Sequence, residues 1–157
     1  MRKLLLLPAS TLLLLCSLAA LPAAAAPKTE SDIFGYFSIA GKAPAGFQDI
    51  DVILLGGSGE YGAQAKPPFH GLIRMKNKKA KDYQILAPAR KGKAFSFRTA
   101  AVASISYEFE GTLRRTEFNP ENPPQHDEVV LTGTLRKMKA GEPIAGAKVD
   151  FTWELGD

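Results

Sequence analysis

The chain has 157 residues, with 20 lysines and arginines against 16 aspartates and glutamates, two histidines and one cysteine. That length suits one domain behind a leader segment, and so small an excess of positive charge demands no nucleic-acid partner. With Cys16 inside the leader, the folded part has no disulfides and no thiolate chemistry, and its histidines are too few for a zinc centre.

Arg2 and Lys3 precede a leucine-rich run between positions 4 and 18. The small residues of Leu21-Pro22-Ala23-Ala24-Ala25-Ala26 follow. This is the three-part layout of a secretory signal, with cleavage expected next to Ala26. Residues 1–26 then leave, and residues 27–157 fold as an exported domain with 18 basic and 16 acidic residues. Leu15 stands where a lipoprotein signal carries a small residue, so lipidation of Cys16 fits less well. Asn77, Asn119 and Asn122 are not followed by a glycosylation sequon. Without sequons or a cysteine framework, the expected setting is bacterial, periplasmic or extracellular.

The exported part reads as strands and turns in chain order. Residues 33–40, 50–55, 69–75 and 83–87 form short apolar runs between glycine- and proline-rich segments. Residues 93–99 set Phe95 and Phe97 on one face. Residues 104–114 alternate most regularly, with Ile105, Tyr107, Phe109, Gly111 and Leu113 on the core side. Residues 128–137 repeat the pattern with Val129, Leu131, Gly133 and Leu135, and residues 148–155 with Val149, Phe151, Trp153 and Leu155. No window keeps a 3.6-residue apolar period. The expected fold is all-β: a single antiparallel β-sandwich or small β-barrel of about eight strands. Turns centred near Glu121 and Glu142 would set Phe109 and Phe151 on either side of Gly133, covering it with two rings.

Several motifs invite a chemical reading. Gly57-Ser58-Gly59-Glu60-Tyr61-Gly62 matches a dinucleotide fingerprint, with Asp82 placed as a ribose ligand. Pro67-Pro68 leaves no room for the helix that would face the pyrophosphate, so the segment reads as a hairpin loop and no cofactor is expected. Glu60 replaces the glycine that a nucleophile elbow at Ser58 requires. His70 and His126 stand alone. The loop oxygens of Glu117, Glu121, Asn122, Asp127 and Glu128 lack calcium-loop spacing, so no metal is expected. Glu108 and Glu110 share one strand face and could serve a glycoside hydrolase, although alternating surface charge with Arg114 and Arg136 explains them as well.

Gly111-Thr112-Leu113-Arg114 and Gly133-Thr134-Leu135-Arg136 echo each other, as adjacent strands in similar surroundings would. Leu131-Thr132-Gly133-Thr134-Leu135, followed by Gly141-Glu142-Pro143-Ile144-Ala145-Gly146-Ala147-Lys148-Val149, resembles the opening hairpin of carboxypeptidase regulatory-like modules. The resemblance implies a small transthyretin-like β-sandwich with a binding or spacer role. It does not imply catalysis.

Charge is uneven in one window. Residues 74–93 hold eight basic residues against Asp82 alone. Arg74, Lys76, Lys78, Lys79 and Lys81 form a possible anion-binding surface, while Arg90, Lys91 and Lys93 belong to the far end of the next strand. The expected function is a non-enzymatic exported β-domain with a binding or envelope-structural role, in weak contact with anionic envelope components. No catalytic residues and no membrane span after signal cleavage are expected. The alternatives are a small barrel carrying an apolar ligand, or a carboxylate-dependent hydrolase.

Overall fold

The computed structural model describes residues 33–56, 70–86, 88–118 and 121–155. The segment expected to be a leader (residues 1–26), the glycine-rich 57–62 motif and part of the proline-rich loop lie outside these residues. The described residues are all-β, with nine strands and no helix: β1 (Gly35–Ile39), β2 (Ile50–Leu55), β3 (Gly71–Met75), β4 (Tyr83–Gln84), β5 (Ala89–Lys91), β6 (Ala94–Arg98), β7 (Ile105–Leu113), β8 (Leu131–Lys139) and β9 (Glu142–Glu154).

All nine belong to one antiparallel sheet in the order β4-β3-β2-β1-β9-β8-β7-β6-β5. The sheet curls as a half-barrel, and its two ends touch along a short seam. There Ile85 bridges Thr99, the Leu86 N–H donates to the Arg98 carbonyl at 2.9 Å, and the Ala100 N–H donates to the Gln84 carbonyl at 2.8 Å. Pro88, which has no N–H for a ladder, stands between β4 and β5. Taken as one interrupted strand, β4 and β5 complete an up-and-down order in which each strand neighbours the next and β9 returns to β1.

Period-two alternation builds the interior. Phe37, Ile53, Leu55, Ile73, Phe95, Phe97, Tyr107, Phe109, Leu135, Phe151 and Trp153 all point into one core cluster. An eight-strand ring is just wide enough to be filled by such side chains. Rings meet across it: Phe109 touches Phe97 at 5.5 Å between centroids and Phe151 at 5.6 Å.

The expected strand limits shift by up to three residues, except that β9 begins at Glu142, six residues before the expected 148, so that Glu142 and Pro143 belong to a strand and not to the turn; three further details change. Leu155 is exposed, because β9 ends at Glu154. Val129 is only half-buried, while Val130 and Leu131 are both buried. The alternation breaks just before β8, where the Val130 carbonyl accepts from the Arg114 N–H at 2.8 Å and the Val130 N–H donates to the Phe151 carbonyl at 2.9 Å. The register is two residues from the expected one: Gly133 faces Gly111 and Val149, and Phe109 and Phe151 stand opposite Leu135 and Leu131.

A two-residue turn at Ala140-Gly141 and a one-residue register shift after Lys137 set the β8–β9 half of that pairing. Phe109 still covers the glycines diagonally. A Cβ on Gly133 would stand 2.6 Å from the Phe109 Cζ and would collide with the Glu110 carbonyl oxygen. The Gly-Thr-Leu-Arg echo is therefore one slot, formed where two glycines face each other and filled by one ring.

Candidate functional site

The up-and-down path places alternate connections at opposite ends. The upper end carries the β1–β2, β3–β4, β6–β7 and β8–β9 connections. The lower end carries the β2–β3, β5–β6 and β7–β8 connections.

The five basic residues of the expected surface divide between wall and rim. Arg74 lies on β3, and its guanidinium sits 5.6 Å from the centre of the Tyr36 ring, so it belongs to the barrel wall. Lys76, Lys78, Lys79 and Lys81 form the upper β3–β4 connection. Lys76 Nζ donates to the Gln48 carbonyl at 2.9 Å, tying this connection to its neighbour. The Lys79 N–H donates to Asn77 Oδ1, and the Met75 N–H donates to Asp82 Oδ1, both at 3.0 Å. These side-chain acceptors fix the turn that displays the lysines. Lys78 approaches Asp51 at 3.9 Å with both groups open to water, so the pair holds little. Arg90, Lys91 and Lys93 lie at the lower end, apart from this group.

Topology adds residues that the 74–93 window could not show. Lys42 in the β1–β2 connection, and Lys137 and Lys139 at the end of β8, reach the same end as the 76–81 lysines. The carboxylates there are Asp49, Asp51, Asp82 and Glu142. The upper end is thus basic overall.

Beneath this rim lies a second cluster. Tyr107 on β7 points inward and is fully buried. Tyr83 meets it edge-on at 4.8 Å, and Phe47, carried by the β1–β2 connection, lies 6.4 Å from it. Lys137 Nζ stands 5.7 Å from the centre of the Tyr107 ring and donates to Asp49 Oδ2 at 3.2 Å. The Tyr107 hydroxyl has no hydrogen-bond partner among the described residues. Burial above all, then the Asp49 carboxylate and Tyr83, pushes its pKa well above the ordinary tyrosine value. It is therefore a donor with its proton in place.

Asp49 and Lys137 are 88 positions apart, so no spacing rule joins them. One signal was readable: Lys137 continues the core-side parity of Leu131, Gly133 and Leu135, and a lysine on an apolar face needs a partner.

Glu108 and Glu110 share a depression of about 210 Å³ on the outer face of β6 and β7, lined also by Ser96, Phe97, Arg98 and Phe109. Arg136 Nη1 donates to Glu110 Oε2 at 3.1 Å, and both side chains are open to water. The depression is open to water, and among the described residues its two carboxylates lie on the same strand, two positions apart. His126 Nδ1 lies 3.7 Å from Glu154 Oε1, and no group of three or more histidines, cysteines, aspartates or glutamates able to hold a metal occurs among the described residues. Nor is any described helix long and apolar enough to cross a membrane.

No family model, no curated protein and no solved structure matches the chain. The class is therefore defined by the fold and the site alone: a small antiparallel β-barrel with one basic end.

Proposed function

We propose that the chain is an exported, non-enzymatic β-domain that holds an anionic component of the cell envelope against its upper end. The observation that carries this reading is the turn of Lys76, Lys78, Lys79 and Lys81, fixed by Asn77 and Asp82 and joined at the same end by Lys42 and Lys139. Lysines on a firm turn make a diffuse positive surface, suited to a phosphate-rich or carboxylate-rich partner of repeating charge. The leader layout supports export, and a periplasmic or extracellular setting places such partners within reach. Phe95, Phe97, Phe109 and Phe151 occupy the barrel centre, which favours a surface contact over a carrier with a large internal cavity.

The test is sedimentation with vesicles of anionic phospholipid at low and high salt. Wild type should bind at low salt and release above about 0.15 M, where the Debye length falls to about 8 Å. The triple variant Lys78→Gln, Lys79→Gln, Lys81→Gln should lose most of that binding. Equal binding by both proteins would reject the proposed surface.

A further inference from the structure

Both barrel ends are closed by a ring that a connection carries inward, Phe118 below and Phe47 above. They differ in how a buried polar atom is served. Below, Trp153 Nε1 donates to the Phe34 carbonyl at 2.6 Å. Above, the Tyr107 hydroxyl is buried under Phe47 with no partner among the described residues. A buried hydroxyl without a partner costs folding free energy, and phenylalanine would fill the same volume without that cost. Lys137 does not answer the hydroxyl, since its ammonium stands over the ring face and bonds Asp49.

We infer that the upper end of the barrel is a binding site for a small uncharged molecule with one apolar ring and one hydrogen-bond acceptor, the ring displacing Phe47 and the acceptor meeting the Tyr107 hydroxyl. Each part of this description rests on a residue. The ring follows from Phe47, which a connection holds in place and a strand does not. Phe47's own backbone bonds are local, its N–H to the Pro44 carbonyl at 3.1 Å and the Ile50 N–H to its carbonyl at 3.2 Å, while Lys76 holds the next two carbonyls, Gln48 at 2.9 Å and Asp49 at 3.0 Å, so it is the ring and not the whole connection that swings. If Phe47 swings out, it leaves an apolar, ring-sized space against Tyr107.

The acceptor follows from the hydroxyl, which keeps its proton and donates it to no acceptor among the described residues. The lack of charge follows from Lys137 and Asp49, which neutralise each other at the mouth. An ion entering there would have to break that pair or be buried unpaired. This site lies inside the lysine rim and does not depend on the anionic contact proposed above.

Acetophenone and ethylbenzene have similar shapes and differ in the acceptor, so they serve as probes. Each is titrated into the full chain and followed by amide chemical shifts. Acetophenone should move the amides of Phe47, Ile50 and Tyr107. It should bind roughly threefold to tenfold tighter than ethylbenzene, which is the worth of one hydrogen bond. Tyr107→Phe should keep the fold and bring the ratio to one or below, because the acetophenone carbonyl would then be buried without a donor. Phe47→Ala should bind both probes more tightly with the ratio retained. Equal affinities in wild type, shifts confined to other parts of the barrel, or no shift with either probe would overturn the inference.

Discussion

At the lower end of the barrel, Phe118 packs against Phe37 at 5.5 Å and Trp153 at 5.8 Å. Trp153 packs in turn on Phe34, whose carbonyl takes the indole proton. At the upper end, Phe47 packs on Tyr107 beside an ion pair, and the hydroxyl is left over. The lower connection is also fastened by side chains: Arg115 Nε donates to the Glu117 carbonyl at 2.9 Å, and Arg115 pairs with Glu128 at 3.6 Å. One fold thus closes the same opening twice, once with apolar rings and answered donors, once with polar groups only partly answered. Complete satisfaction serves stability, whereas an incompletely satisfied group marks a place where stability has been given up, which in natural proteins tends to be a functional place.

The largest effect expected from this contrast is at Trp153. Trp153→Ala removes the ring on which Phe34 and Phe118 rest and should cost about 3–5 kcal/mol in urea unfolding. Phe47→Ala should cost less, because a connection can close over the gap it leaves. If the two losses are equal, the ends are not different in kind.

Gly133→Ala probes the wall that both ends share. Its Cβ would strike the Glu110 carbonyl oxygen and stand 2.6 Å from the Gly111 Cα, so backbone must move. A loss of about 1–3 kcal/mol is expected, with hydrogen exchange accelerated at both ends alike. Acceleration at one end alone would show that the ends do not share this wall mechanically.

Tyr107→Phe sharpens the contrast through its sign. Removing a buried hydroxyl that has no partner should leave stability unchanged or raise it by up to about 1 kcal/mol. A loss above that size would mean that the hydroxyl is answered within the protein. The pH dependence gives an independent check. The folded-state pKa of Tyr107 is raised above the unfolded value of 10.0, so its contribution is intact below that pH and lost as pH rises through it. Wild type should therefore lose stability relative to Tyr107→Phe as pH climbs past about 10.

The smallest effect is at the β8–β9 turn. Ala140 has φ 52° and Gly141 has φ 90°, the pair of positive angles that favours Asn-Gly. Ala140→Asn should raise the urea midpoint by an amount worth about 0.5–1 kcal/mol, without altering either plug. A falling midpoint would show that the side chain at 140 has another task.

Much of the wall was legible from alternation alone. On β7, every second residue from Ile105 to Leu113 points inward as the pattern required, and Val149, Phe151 and Trp153 do the same on β9. Where the alternation is weak, reading failed. The pattern predicts no strand at β5, because three residues after Pro88 carry too few side chains to show a period. The pairing of Gly133 differs by two from the one the spacing predicts; on the β9 side it depends on a tight turn and a bulge, which sequence spacing reports only loosely. The lysine turn was visible as a charge run, but Lys42 and Lys139 join it only because the path brings three connections to one end.

By itself, the sequence determined the all-β class, the faces of the long strands, the absence of an intramolecular disulfide framework in a chain with one cysteine, and the basic turn at 76–81. Each of these depends on neighbours in the chain or on composition, and both can be read along a line. Only the tertiary structure decided that the strands form one sheet whose ends meet, that Gly111 and Gly133 make a slot for Phe109, and that Asp49, Tyr83, Tyr107 and Lys137 gather under Phe47. Those outcomes depend on register and curvature. A shift of one residue in either would turn Tyr107 to the outer face and leave no cluster at all.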